Sequence, residues 1–126
     1  MKLAHVALWT SELDRLVAFF EDMFGATASP LYESRRRAGF SSKFLTLSEG
    51  ATIEIMSGPW IAPEASRERA GYAHMAISLG SRQAVDEMAT KAAAMGILAS
   101  PARMTGDGFY EAVISDPDGN PVEITE

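Results

Sequence analysis

Shifted along itself by 69 positions, the chain matches Ala4 with Ala73, His5 with His74, Ala7 with Ala76, Gly39 with Gly108, Phe40 with Phe109, Gly50 with Gly119, Glu54 with Glu123 and Ile55 with Ile124. The conservative pairs Val6/Met75, Leu8/Ile77, Leu45/Ile114 and Ile53/Val122 fall on the same diagonal, so whole apolar blocks recur rather than isolated letters. This constrains the fold more than any other feature, because it makes the chain two copies of one unit of about sixty residues. Two copies are too few for a solenoid, so they should pack as partners. The expected organisation is one domain over 1–126, with a first module at 1–57, a connector at 58–71 and a second module at 72–126.

Each copy opens with a short apolar run, Leu3 to Trp9 and Tyr72 to Leu79, too short for a stable helix and rich in strand formers. Leu13, Leu16, Val17, Phe20, Met23 and Phe24 then recur on one side of a helix that Ser11 should cap and Gly25 should end. Val85, Met88, Ala89, Ala92 and Met95 repeat the stripe between Ser81 and Gly96. Strand-like segments follow at Thr27–Glu33, Phe40–Leu47 and Thr52–Met56, and again at Ile97–Arg103, Phe109–Ser115 and Pro121–Thr125, the last two separated by a Pro117-Asp118-Gly119-Asn120 turn. Each module therefore reads strand, helix, strand, strand, strand.

Strand alternation decides where the two histidines point. Val6 and Leu8 take the helix side of the first strand, which leaves His5, Ala7 and Trp9 on the other side; Ile53 and Ile55 likewise leave Glu54 and Met56 opposite the helix. The second copy puts Tyr72, His74 and Glu123 on its helix-free side in the same way. With Phe44, the residues Trp9, Met56 and Tyr72 give that face the mixed apolar and ionisable character of a pocket wall.

His5, Glu54, His74 and Glu123 would together offer a divalent ion two neutral nitrogens and two anionic oxygens. A single strand histidine is more often a plain wall residue. The reading changes here because the chain holds only two histidines, and both occupy repeat-equivalent places with equivalent acids. Zero cysteines leave imidazole and carboxylate as the strong ligands, and one ion per site is expected, with nickel, zinc and cobalt the leading candidates. A net charge of -6 disfavours nucleic acid as a partner, no run is long and apolar enough for a membrane span, and no signal peptide is visible. A small-molecule partner and a cytoplasmic location are the expectations.

The segments Ala4-His5-Val6-Ala7-Leu8, Ile53-Glu54-Ile55, Gly71-Tyr72-Ala73-His74-Met75-Ala76-Ile77 and Asp116-Pro117-Asp118-Gly119-Asn120-Pro121-Val122-Glu123-Ile124 resemble the vicinal oxygen chelate superfamily across essentially the whole chain. The resemblance implies an α+β fold in which two tandem βαβββ modules form a curved mixed sheet around a central metal-holding cavity, with helices on the outer face. It also implies a homodimer whose sites lie at or near the interface. The order His, Glu, His, Glu is most similar to bacterial glyoxalase I, a lactoylglutathione lyase. That likeness implies His5, Glu54, His74 and Glu123 as metal ligands, with Glu123 as catalytic base and Glu54 as its counterpart, moving a proton through a metal-bound enediolate of a hemithioacetal or related α-hydroxycarbonyl compound.

Glyoxalase I proteins carry an arginine and an asparagine for glutathione where this chain has Trp9 and Gly58, which leaves room for another thiol adduct. Arg35, Arg36 and Arg37 read first as a solvated hairpin and second as an anion contact. The apolar connector Pro59-Trp60-Ile61-Ala62-Pro63 reads as a linker anchored on the sheet, as a cavity cover or as part of a dimer contact. The competing functions are another enzyme of the superfamily, of epimerase or dioxygenase type, and a non-catalytic resistance module that binds a drug or metabolite.

Overall fold

A computed structural model describes residues 3–62, 72–106 and 108–126. The chain divides into two compact units, Met1–Ala65 and Ser66–Glu126. The dividing point lies in the connector, and Pro63 at the end of its apolar stretch lies outside the described residues.

The first unit runs β1 (Val6–Trp9), α1 (Leu13–Phe24), β2 (Thr27–Ala28), β3 (Tyr32–Glu33), β4 (Ser41–Thr46) and β5 (Thr52–Ser57). Its mixed sheet has the order β1-β5-β4-β2, with β3 also on β4. β1 runs parallel to β5, which sets Val6 beside Ile53, Ala7 beside Glu54 and Trp9 beside Met56. One face of this sheet packs on α1, where Leu16, Phe20, Leu45 and Ile55 are fully buried. The rings of Phe19, Phe20 and Phe24 also meet one another there.

The second unit repeats the plan with β6 (Met75–Ser78), α2 (Arg82–Ala94), β7 (Leu98–Met104), β8 (Tyr110–Ser115) and β9 (Pro121–Thr125), in sheet order β6-β9-β8-β7. β6 is parallel to β9, and Ala76 stands beside Glu123 as Ala7 stands beside Glu54. Val85, Ala89, Ala92, Ala112, Ile114, Val122 and Ile124 form its core. The fold is thus α+β, two tandem βαβββ units with one mixed sheet each. No helix among the described residues is long and apolar enough to cross a membrane.

Three local expectations are corrected. Ser11 does not cap α1: Glu12 holds the cap position, and its amide donates to the hydroxyl of Thr10 at 3.0 Å. Thr10 is buried and its own amide donates to the carbonyl of Met56, so the sheet delivers this hydroxyl to the helix entrance before Ser11 is reached. The expected strand Thr27–Glu33 is split in two. The Ser29 hydroxyl accepts from the Phe44 amide at 2.9 Å, Pro30 has no amide to continue the ladder, and one extra residue lies between the Ala28–Leu45 and Tyr32–Ser42 pairs. Met95, expected on the α2 stripe, instead follows the helix as an exposed C-cap, whereas the signals at Gly25 and Ser81 act as read. Gly25 ends α1 in the left-handed conformation, and the Ser81 hydroxyl accepts from the Ala84 amide to cap α2.

Candidate metal centre

Both histidines sit just ahead of the first strand of their unit, on the face opposite the helix. In the first unit the Thr52 hydroxyl donates to the carbonyl of Ala4 at 2.9 Å, which ties down the residue before His5. His5 Nε2 then stands 3.7 Å from Glu54 Oε2. The edge-to-face contact of the imidazole with Phe44, centroids 5.3 Å apart, limits ring rotation, and Phe44 is the direct cross-strand neighbour of Glu54. In the second unit His74 Nε2 stands 3.0 Å from Glu123 Oε2, and Val113 takes the place beside the acid. The repeat has thus placed the same nitrogen–oxygen pair twice.

These pairs suit a metal on two counts. Ligand bonds of about 2.1 Å at octahedral or tetrahedral angles separate adjacent donors by roughly 3.0–3.4 Å. The His74–Glu123 spacing falls in that span and the His5–Glu54 spacing lies a few tenths of an ångström outside it, a difference that a side-chain rotation absorbs. The carboxylates are also more sheltered than the imidazoles, with 17% and 20% of the side chain exposed against 42% and 45%. A partly desolvated anion beside a half-open nitrogen is a favourable start for a cation. Within either unit, no third histidine or carboxylate joins the pair among the described residues. Each unit therefore offers one nitrogen–oxygen pair of its own.

Strand β9 owes its start to Asp116. One carboxylate oxygen accepts from the amides of Asp118 and Asn120 at 2.9 and 2.8 Å, and the other accepts from the Asn120 side chain at 2.8 Å. Gly119 turns the chain at φ 84°. Burial pushes the Asp116 carboxyl above the ordinary aspartate value, against the opposing pull of the Asn120 and Asp118 hydrogen bonds. A buried aspartate thus fixes the turn from which Glu123 is presented.

The remaining sequence candidates separate. Trp9, half-exposed, joins Phe40 and Trp60 in edge contacts at 6.0 and 6.2 Å, and Met56 is its cross-strand neighbour. Arg37 lays its guanidinium 3.9 Å from the Trp60 ring centre, whereas Arg35 and Arg36 are exposed on the same hairpin. Tyr72 is fully exposed. The sequence marks Phe40 only as a repeat position and Trp60 only as part of the apolar connector, whereas the structure brings both rings to Trp9.

Comparison with known proteins agrees with this architecture. Residues 2–124 match the family model described as the Glyoxalase/Bleomycin resistance protein/Dioxygenase superfamily. PA2024, an uncharacterised protein of Pseudomonas aeruginosa, is 32% identical over 98% of this chain and 86% of its own length. Glyoxalase I of Leishmania major, described as trypanothione-dependent, superposes with a TM-score of 0.77 at 18% identity, covering 100% of this chain and 86% of that one. The fosfomycin resistance protein FosX of Listeria monocytogenes, crystallised with Mn(II) and sulfate, gives 0.71 at 23% identity over 98% and 90% of the two chains.

Proposed function

The chain belongs to the Glyoxalase/Bleomycin resistance protein/Dioxygenase superfamily, and from that premise we propose that it is a metal-dependent enzyme of the glyoxalase I type. The observation that carries the proposal is the duplicated pair, His5–Glu54 and His74–Glu123, each with a nitrogen and an oxygen at or near chelating separation. The four side chains would hold one divalent ion, with nickel, zinc and cobalt the leading candidates, in a homodimer. The Mn(II) bound by FosX supports a divalent ion in this fold. When bound, such an ion supplies Lewis acidity to two neighbouring oxygens of the substrate.

The chain's own groups do the rest. Glu123 takes the proton from the substrate carbon and returns it to the adjacent carbon, and Glu54 is the acid–base group of the other half. Their partial burial keeps bulk water from competing for that proton. The histidines serve as nitrogen donors to the ion. The substrate is a hemithioacetal or a related α-hydroxycarbonyl compound, and the thiol need not be glutathione.

Elemental analysis of protein purified without chelators tests the reading. About one divalent ion per site is expected, lost in His5→Ala and in Glu123→Ala. Protein that takes up no divalent ion at neutral pH, or keeps it in both variants, overturns the proposal. Turnover of methylglyoxal with glutathione, bacillithiol or mycothiol then assigns the thiol. A metal-loaded protein inactive with all three belongs instead to an epimerase- or dioxygenase-type branch.

A further inference from the structure

The two units share their His–Glu pairs but differ at the far end of the same strands. In the first unit that end carries Trp9 and Met56, and the matching places in the second are Ser78 and Thr125. Around Trp9 the chain has gathered an aromatic and cationic cluster. Phe40 and Trp60 meet Trp9 edge to face, Tyr32 meets Phe40 at 6.3 Å, and the Arg37 guanidinium lies 5.6 and 5.9 Å from the Trp9 and Phe40 rings. Trp9, Trp60 and Tyr32 all keep large exposed surfaces.

The cluster is built by backbone as well as side chains. A Cβ at Gly58 would strike Cζ2 of the Trp60 indole, and one at Gly39, which stands at φ 80°, would come within 2.8 Å of Pro59 Cδ. Both positions therefore need glycine if the segment after β5 is to lie against the hairpin. Hydrogen bonds from the amides of Arg36 and Arg37 to the Ser34 hydroxyl, and from the Phe40 amide to the Arg37 carbonyl, hold the hairpin tip in shape.

Arg37 holds its Cζ 3.9 Å over the centre of the Trp60 ring. Stacking on Trp60 leaves the in-plane N–H groups of the guanidinium available, and these make bidentate contacts with oxyanions. Among the described residues no carboxylate pairs with Arg37. Arg35 and Arg36 add to the charge beside it in a chain whose net charge is -6, so this hairpin is a local attractor for anions.

We propose that Arg37, Trp60, Trp9 and Phe40 form a binding subsite for the arm of the substrate that does not carry the chelating oxygens, and that this arm is a flat aromatic group bearing a carboxylate. The proposal rests on the metal-dependent reading above for its link to catalysis. Trp9 lies four residues along the same strand face from His5, about 13 Å at strand rise, so the subsite specifies a substrate with a long non-reacting arm.

The chain's two tryptophans are both in this cluster, so selectively excited tryptophan emission reads the subsite directly. Phenylpropionate, phenylpropanol and cyclohexylpropionate are the probes, used with untreated and chelator-stripped protein. Saturable quenching by phenylpropionate is expected, with markedly weaker effects from the two analogues. Arg37→Ala should weaken phenylpropionate on the order of tenfold and leave phenylpropanol nearly unchanged. Gly58→Ala, which displaces Trp60 without removing a contacting group, should weaken both. Absence of saturable quenching, or quenching indifferent to both substitutions, overturns the subsite. Quenching that persists in protein unable to hold metal supports the subsite while the catalytic reading fails. An active metalloenzyme whose emission ignores the probes leaves catalysis standing and refutes the subsite.

Discussion

Asp116 shows how much one side chain settles. Its carboxylate accepts three hydrogen bonds inside a single turn, so Asp116→Ala should cost about 1–3 kcal/mol through the loss of those bonds. Its raised pKa adds a sign. A folded-state value above the ordinary 3.8 means that the neutral carboxyl favours the fold. That contribution is complete below about 3.8 and is lost as pH rises through the raised value. In urea titrations across the acid range, the wild type should therefore gain stability relative to Asp116→Asn as pH falls through this window. A difference that stays flat with pH would refute the assignment. The turn was legible from its Pro-Asp-Gly-Asn letters, but the burial of Asp116 was not, because burial belongs to the packed unit. Thr10 and Ser11 make the same point: adjacent hydroxyls look alike in sequence, and the Glu12 amide at the cap position donates to the one that β1 carries to the helix entrance.

At the scale of elements, α1 and β4 show the reach and the limit of periodicity. The stripe Leu16, Val17, Phe20 and Met23 is buried as its spacing requires, because a helix face follows from local order alone. Phe20→Ala should cost about 3–5 kcal/mol in chemical denaturation. Gly25→Ala should cost about 1–2 kcal/mol, from backbone strain alone, since no atom lies within 4 Å of the added methyl. Equal losses for the two variants would contradict this division between packing and strain. The break between β2 and β3 was harder to see, since it depends on a hydroxyl at Ser29 meeting Phe44 across the sheet. The cluster of Arg37, Trp9 and Trp60 was hidden for the same reason, joining residues from three separate segments, whereas each His–Glu pair was visible because two strand periods and one repeat specified it twice.

At the scale of the whole molecule, the proposed four-ligand site can be tested by subunit exchange. If a dimer shares its sites between subunits, a mixed dimer of His5→Ala and His74→Ala chains contains one site with every ligand intact and one lacking both histidines. Mixing the two inactive variants should then restore metal binding and turnover to roughly half the wild-type level per heterodimer, as expected for isologous pairing. No recovery after subunit exchange would place all four ligands within one chain.

The placement of both tryptophans in the first unit also decides what an unfolding curve can report. Emission follows the loosening of the hairpin around Trp9 and Trp60, whereas far-ultraviolet dichroism follows backbone order in both units. Coincident midpoints are the signature of a single cooperative transition, and separated midpoints show that one repeat outlasts the other. The second repeat, which has no tryptophan, can melt unseen by fluorescence.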